Sequence, residues 1–408
     1  MSKTYDIGII GAGVAGAFAS LRIAEKYKNT NAILFELGRP PGKRRRQLEG
    51  WLGCLPFGDG KLYVDDIQDI IEVVDGRKAK PIEKWVLSKF TEAGPTKVVK
   101  DKLPSATVQK QAADMMFDLY TNDHIQWIPD NIHKLSRQIA DKIEEAGNVE
   151  FSFDNEVFQI LKQNDEFLIA THNGDFKCKK VLLCVGRSGW RWVTSLYKSF
   201  GLMDDEYDSM AKYGIRVEIP AQYMKDFHKS HCTLVRDDME IGPLSWNGAI
   251  IPEDHADLVI SAFRSNEGRW KRMGKNKVSF NLIGYKTFLN QGTYQTERLG
   301  KLAFLMFNDR VGREKIKLIM KGDSVLSELP EYNWLPNTLK ELEAIFPTII
   351  TRGYYHAPTI LPMAPSILLD KNLESNLENL YVAGESAGFH GIMASAISGT
   401  IAVDGALR

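Results

Sequence analysis

The stretch that decides the fold runs from Tyr5 to Glu36, YDIGIIGAGVAGAFASLRIAEKYKNTNAILFE. Tyr5 to Ile10 is a short, largely apolar and β-branched run that ends directly in glycine, which reads as a buried strand. Gly11-Ala-Gly13-Val-Ala-Gly16 follows, then a good helix former from Ala17 to Lys26. Asn31 to Glu36 reads as a second strand with an acid at its carboxyl end. This is the order a βαβ dinucleotide-binding unit requires. Gly11 permits the tight turn out of the strand. Gly13 lets a pyrophosphate approach the backbone, and Gly16 lets the helix pack closely on the sheet. The N–H groups at the helix start, around Val14 and Ala15, then meet phosphate oxygens with about half a positive charge behind them. Glu36, about 20 residues further on, is placed to accept hydrogen bonds from ribose hydroxyls and disfavours a 2′-phosphate. FAD or NAD therefore fits better than NADP. The competing reading is a glycine-rich turn with no ligand.

Working outward, residues 149 to 189 help choose between FAD and NAD. VEFSF, EVFQILKQ, EFLIATHN and FKCKKVLLCV form a hairpin-rich β segment that includes Val157, with Asn173-Gly174-Asp175 as a turn. The segment ends in Gly186-Arg187-Ser188-Gly189. It resembles the β-meander that glutathione-reductase-like flavoproteins insert before a strand returning to the Rossmann sheet near the cofactor. The C-terminus resembles a third element of that fold. Leu380-Tyr-Val-Ala-Gly384-Glu385 is strand-like, and Ser386 to Gly391 leads into the helical run Ile392 to Leu407. The resemblance implies that Glu385 bonds the ribityl chain of FAD. It also implies that the helix opening at Gly391, Ile392 and Met393 faces the flavin pyrimidine, where its dipole stabilises reduced flavin.

Residues 38 to 62, GRPPGKRRRQLEGWLGCLPFGDGKL, are similar to a narrower group. This is the uncharacterised FAD-dependent dehydrogenase (NAD(P)/FAD-dependent oxidoreductase) family of the same superfamily. Its members pair a Gly-Arg after the ribose acid, here Gly38-Arg39, with a downstream Asp59-Gly60-Lys61-Leu62. Gly186 to Trp190, Tyr213 to Pro220 and the C-terminal LYVAGESAGFHGIMASAISGTIAVDGAL are similar as well. The chain departs from the family in having only Cys54 where a cysteine cluster is usual. It reads RDDMEIGPLSWNG (Arg236 to Gly248) in a Cys- and Gly-rich place, and has His390 where an Arg is common. The resemblance therefore lends a flavin scaffold and no substrate.

Composition bounds the remaining readings. The 408 residues imply two or three folding units at about 150 per domain. The 52 Lys and Arg balance 52 Asp and Glu, so no global charge draws the chain to nucleic acid or anionic membrane. Lys43 to Arg46 is a local basic run. The four cysteines include no Cys-x-x-Cys pair, which argues against a dithiol centre or a zinc site, and no metal is expected. With no signal-like start and no apolar run near ~20 residues, the expected location is the cytoplasm, without a membrane span.

The fold expected is α/β, a Rossmann-type FAD domain with β-meander plus a mixed α+β substrate domain. The FAD domain is assigned to 1–75, 125–195 and 350–408, and the substrate domain to 76–124 and 196–349. Pro104 to Asn148 reads as mainly helical. Catalytic candidates are His390, Lys61, Tyr354 and His356. Cofactor-binding candidates are Gly11, Gly13, Val14, Ala15, Gly16, Glu36, Arg39, Asp59, Gly60, Lys61, Val157, Gly186, Arg187, Gly384, Glu385, Gly391, Ile392 and Met393. His390 either stabilises reduced flavin or relays a proton, or is a hydrogen-bonded histidine with no chemical role. Lys61 contacts phosphate or flavin, unless Asp59 merely makes a turn. Tyr354 and His356 form a substrate wall beside the FAD domain or pack in a core. Arg216 and Glu218 share a strand face, in a site or as a structural ion pair. Residues 257 to 310 interleave Phe263, Arg264, Arg269, Trp270, Lys271, Arg272, Lys275, Lys277, Phe280, Tyr285, Lys286, Tyr294 and Arg298. That pattern suits a phosphate-bearing or nucleic-acid substrate, or a solvated sheet surface.

The leading functional expectation is an FAD-dependent oxidoreductase moving a hydride from a substrate C–H or C–N bond to flavin N5, on a small-molecule or nucleotide-like substrate. The alternatives are an FAD-dependent enzyme that modifies a nucleobase or nucleotide-linked group in DNA or RNA, and a non-catalytic flavin-binding protein. No second glycine fingerprint lies between residues 196 and 350, so a dedicated nicotinamide domain is not expected.

Overall fold

A computed structural model describes residues 4–44, 46–58, 60–64, 67–92, 94, 96–127, 129–203, 210–255, 258–265, 274–288, 291–363 and 367–408. The chain divides into two compact units. One comprises Met1–Lys97, Ile125–Tyr207 and Met363–Arg408; the other comprises Val98–His124 and Asp208–Pro362.

The first unit is built on the opening motif. β1 (Thr4–Ile10) leads through the glycine loop into α1 (Val14–Lys26) and β2 (Ala32–Phe35). α2 (Gly76–Thr91) and α3 (Pro129–Ala146) follow, then the strands β3 (Val149–Ser152), β4 (Val157–Gln163), β5 (Glu166–Thr171) and β6 (Gly174–Leu183). α4 (Trp190–Ser199), β7 (Leu380–Val382) and α5 (Ile392–Ala406) complete it. The strands form one sheet in the order β3-β2-β1-β6-β5-β4, with β7 also on β6. β3, β2, β1, β6 and β7 are mutually parallel, as buried apolar runs such as Ala32-Ile-Leu-Phe35 require. β6 is long enough to do two things. Its start pairs antiparallel with β5 in the meander, and its end, Val181–Leu183, lies between β1 and β7.

α5 is apolar almost all round and is buried on every side, against α1 among others. Gly399 makes that approach possible: a Cβ there would sit 2.2 Å from the Ala15 carbonyl oxygen. The buried Asp404 carboxylate closes the pair, accepting from Arg22 Nε at 2.9 Å and Nη2 at 2.8 Å and from Tyr27 OH at 2.9 Å.

The second unit carries an antiparallel sheet of seven strands. In spatial order these are Gly312–Lys315, Tyr354–Ile360, Met210–Pro220, Lys277–Thr287, Met239–Trp246, Thr233–Arg236 and Asp118–Tyr120. Val217, Phe280 and Tyr355 lie on one face and are fully buried in a core with Phe346 and Leu339. Their sequence neighbours project to the other face, as period-2 alternation dictates.

Three expected boundaries move. The one set at 195/196 cuts α4, whose Leu196 and Tyr197 are buried in the core of the first unit, so residues 196–207 stay with that unit. Residues 76–97 belong to the first unit, because Phe90 of α2 packs on Phe18 of α1 at 4.8 Å between ring centroids and Trp85 meets the same ring edge-on. Residues 350–362 belong to the second, because Tyr354–Ile360 pairs with the 210–220 strand on one side and the 312–315 strand on the other. Pro104 to Asn148 is mainly helical, as expected, through Ala106–Asp114 and α3. Asp118–Tyr120 and His124–Trp127 are strands inserted between the helix Ala106–Asp114 and α3.

Candidate active site

Parallel strands of the first unit end on one side of their sheet, the side where open α/β sheets bind ligands. β1 ends into Gly11, β2 into Glu36, β6 toward Gly186, and β7 toward Gly384 and Glu385. The glycine loop has one filled and one open side. A Cβ on Gly16 would meet the Gly11 carbonyl oxygen at 1.9 Å, so the helix start is pressed against the strand end. A Cβ on Gly13 would have its nearest neighbour at 4.0 Å, so the backbone there is approachable. Val14, Ala15 and Gly16 open α1, and their N–H groups have no partner within the helix. An approachable backbone in front of unpartnered helical N–H groups fits a pyrophosphate.

Glu36 is buried, and the structure gives its carboxylate a task the sequence did not show. Oε2 accepts from Ala12 N–H at 2.7 Å, and Oε1 accepts from Gly38 N–H at 2.8 Å and Gly50 N–H at 2.9 Å. One acid thus fastens the glycine loop, the exit of β2 and a distant loop, and leaves about one of its four lone-pair sites for a ribose. Beyond it lies a cleft of about 160 Å³ lined by Leu37, Gly38, Arg39, Arg46, Glu49 and Asp154. Arg39 Nε approaches Asp154 at 3.6 Å on its rim.

The basic run at 43–46 is not an exposed cationic patch as a whole. Arg44 is turned inward. Its guanidinium donates to the carbonyls of Glu49 (3.0 Å), Trp51 (2.8 Å), Gly53 (2.6 Å) and Gln47 (2.8 Å), and packs over the Phe57 ring. Burial pulls it down to about 10. Arg46 pairs with Glu49 at 2.8 Å, and Arg45 lies outside the described residues. The loop organised in this way returns to the glycine loop, where Leu52 N–H donates to the Ala12 carbonyl at 2.7 Å.

Three of the proposed site residues meet at the other strand ends. Glu385 accepts from Arg187 Nη2 at 3.0 Å and bonds His390 Nδ1 at 2.9 Å. Burial alone would raise its carboxyl, but Arg187 and His390 reverse this and hold it at about 2. The carboxylate is therefore ionised at any ordinary pH, and the His390 hydrogen sits on Nδ1. Neighbouring bonds fix the turn. Ser386 Oγ donates to the Val185 carbonyl and Tyr197 OH to the Ser386 carbonyl, both at 2.6 Å. Gly384 N–H is held by Ser398 of α5. Gly391 caps α5, so the N–H groups of Ile392 and Met393 lie in its first turn beside this cluster.

The other expected positions are spread out. Gly60 and Lys61 open the strand Lys61–Tyr63, with Lys61 buried; Asp59 lies outside the described residues. Val157 starts β4, and Gly186 precedes a single tight turn at Arg187–Gly189. Tyr354 and His356 stand on the sheet of the second unit, not in the FAD domain segment assigned from sequence. Glu218 does not pair with Arg216; it accepts from Lys277 at 2.9 Å and Arg313 at 3.2 Å. The guanidinium of Arg313 stacks 3.6 Å from the Tyr354 ring centroid.

Of the basic and aromatic series, Phe280 is core, Lys286 covers Trp334, Tyr285 OH donates to Glu240, and Arg298 reaches Gln295 and Glu331. Arg269, Trp270, Lys271 and Arg272 lie outside the described residues. Among the described residues no group of three or more His, Cys, Asp and Glu could hold a metal, and no helix is long and apolar enough to cross a membrane.

Sequence reasoning missed Arg44, whose only signal is a cation five residues before a Glu-Gly-Trp turn. It also missed Ser279 and Asn281, which alternate with Val278, Phe280 and Leu282 and so mark a polar strand face.

No protein-family model and no curated protein matches the chain. Solved structures align along nearly its whole length at low identity. Glycine oxidase from Geobacillus kaustophilus is 14% identical with a TM-score of 0.46, over 99% of this chain and 95% of that one. A flavoprotein/dehydrogenase from Cytophaga hutchinsonii is 13% identical with a TM-score of 0.43, over 98% and 78%. Glycine oxidase from Bacillus cereus is 14% identical with a TM-score of 0.41, over 98% and 94%. Similarity at that level leaves the chemistry to be argued from this chain's own residues.

Proposed function

We propose that the chain is an FAD-dependent oxidoreductase that takes a hydride from a C–H bond of a small organic substrate. The observation that carries this reading is the double return to the parallel sheet. A nucleotide loop follows β1, and β6 and β7 bring Arg187, Glu385 and the start of α5 to the same side.

FAD supplies the hydride acceptor at N5. The first-turn N–H groups at Val14, Ala15 and Gly16 bind the pyrophosphate, and Glu36 offers its remaining lone pair to a ribose hydroxyl. The Ile392 and Met393 N–H groups, with the positive end of α5 behind them, would favour negative charge on a ring bound in front of them. Glu385 orients His390 through Nδ1, which leaves Nε2 as the atom where this ring holds or passes a proton. Arg187 keeps Glu385 ionised while this happens.

The test is anaerobic stopped-flow absorbance at the oxidised flavin band, with NADH, NADPH, amines, hydroxyacids and modified oligonucleotides offered separately. Bleaching by an amine or hydroxyacid supports the proposal and gives the substrate class. Bleaching by a nicotinamide alone moves hydride donation to the cofactor pool and overturns the direct-substrate step. No bleaching by any donor favours a flavin-binding protein without catalysis.

A further inference from the structure

The antiparallel sheet of the second unit has a polar face that the flavin reading does not use. Arg216 lies directly opposite His356 on one side and Asn281 on the other, and Glu218 lies opposite Tyr354 and Ser279. Arg313 is opposite His356 on the next strand out. Directly opposed residues share a face, so seven polar or charged side chains cross four strands in two adjacent rows. The intervening positions Val217, Phe280 and Tyr355 are fully buried apolar groups on the reverse.

The face is under-satisfied in a particular way. His356 is 8% exposed and Ser279 4% exposed, yet His356 Nε2 and Ser279 Oγ have no hydrogen-bond partner, and neither has Asn281 Oδ1. Buried polar atoms left without partners in a folded protein ask for an explanation, of which a ligand is one. Charge indicates its sign. Lys277 and Arg313 both direct a donor to a single oxygen of Glu218, so two cations share one carboxylate. Both remain more than two-fifths exposed and retain further donors, which leaves these two cations within reach of a solute. At His356, burial together with Arg313, Arg216 and Lys277 outweighs the pull of Glu218 and holds the ring at about 4. The imidazole is neutral at pH 7, and its Nε2 is free to donate.

We infer that this face binds the oxyanion group of a small acid, held by the exposed cations Arg313 and Lys277 and by the buried donors Ser279 and His356. The shared chemistry is that of a carboxylate or a phosphate. Arg313 suits both, because stacking on Tyr354 fixes its plane while its remaining N–H groups form a fork. The inference goes beyond the flavin reading and does not rest on it, since all these residues belong to the second unit.

The experiment is isothermal titration of the full-length chain with sodium benzoate, sodium acetate and inorganic phosphate at pH 7.5, each up to about 10 mM, the weak end of measurable affinity. Saturable binding is expected, weakened at least tenfold in Arg313→Gln and severalfold in Ser279→Ala. Arg298→Gln, on the surface of the same unit, is expected to bind as the parent does. Ser279→Ala removes one hydroxyl, so an unchanged melting temperature separates lost binding from lost folding. A carboxylate that binds makes the ligand an organic acid; phosphate binding alone makes it a phosphate ester. Binding of none of the three, or binding that Arg313→Gln and Ser279→Ala leave intact, overturns the inference. Flavin reduction plays no part in the readout, so its failure leaves this result unaffected.

Discussion

Replacing Glu36 by Gln separates a structural clamp from a ligand acceptor. The wild-type carboxylate takes three backbone N–H bonds, two on Oε1 from Gly38 and Gly50 and one on Oε2 from Ala12. The amide of Gln has one oxygen and one NH2. With the oxygen turned toward Gly38 and Gly50, two bonds survive in weaker, uncharged form, and the NH2 faces the Ala12 N–H at a separation now set by a 2.7 Å bond. Hydrogen bonds to charged groups contribute about 1.5–3 kcal/mol, and a buried donor left unpaired costs ~1–3 kcal/mol. One bond lost outright and two weakened give a destabilisation of about 3 kcal/mol. For a unit of this size that is a fall of roughly 6–12 °C in melting temperature. The assay is thermal melting of flavin-free protein followed by far-ultraviolet circular dichroism. Because no nucleotide is present, only the clamp contributes. A Glu36→Gln variant that melts with the parent would refute the reasoning and return Glu36 to a purely ligand-facing role.

Arg44→Met removes the donors to five loop carbonyls, those of Arg46, Gln47, Glu49, Trp51 and Gly53, so limited proteolysis should cut within residues 44–54 several times faster than in the parent, with the rest of the chain unaffected. Gly399→Ala forces a methyl to 2.2 Å from the Ala15 carbonyl, and α1 and α5 must part; a loss of about 1–3 kcal/mol is expected from urea unfolding. Acid stability should fall in two steps of roughly 3 kcal/mol each. His356 is held at about 4 in the fold against an ordinary 6.5, so its contribution is complete above pH 6.5 and lost as pH falls toward 4. Glu385 is held at about 2 against 4.5, so its contribution is complete above pH 4.5 and lost toward 2. Denaturant midpoints across pH 7 to 2 should show His356→Phe losing the upper step and Glu385→Gln the lower.

The first unit was legible because its signals are local. Gly11, Gly13 and Gly16 lie within one turn of each other, and β1, β2, β6 and β7 are apolar runs that end in glycine or an acid. Arg187, Glu385 and His390 were also singled out, since each sits in a recognisable turn. Their mutual contact was not legible, because it depends on β6 and β7 becoming neighbours across nearly 200 residues of chain. The same holds for Glu36. Its type and place were readable, but two of its three partners, Gly38 and Gly50, are set by the path of a loop with no periodicity. In the second unit the alternation of Ser279, Phe280 and Asn281 was visible in principle. What those side chains face follows from strand register, which pairs Arg216 with His356 across about 140 residues. Boundaries failed at α2, within α4 and at Tyr354–Ile360 for a related reason. Long-range packing, not local propensity, decides which core an amphipathic helix or a strand joins.

The measurement that bears most directly on the central claim is flavin content. Protein purified in the dark, or stripped and then titrated with FAD, should bind close to one FAD per chain, and Gly13→Val should abolish uptake while the melting temperature changes little, since the site beside Gly13 is open. Protein that carries no flavin and takes none up, with its circular dichroism intact, would contradict the account.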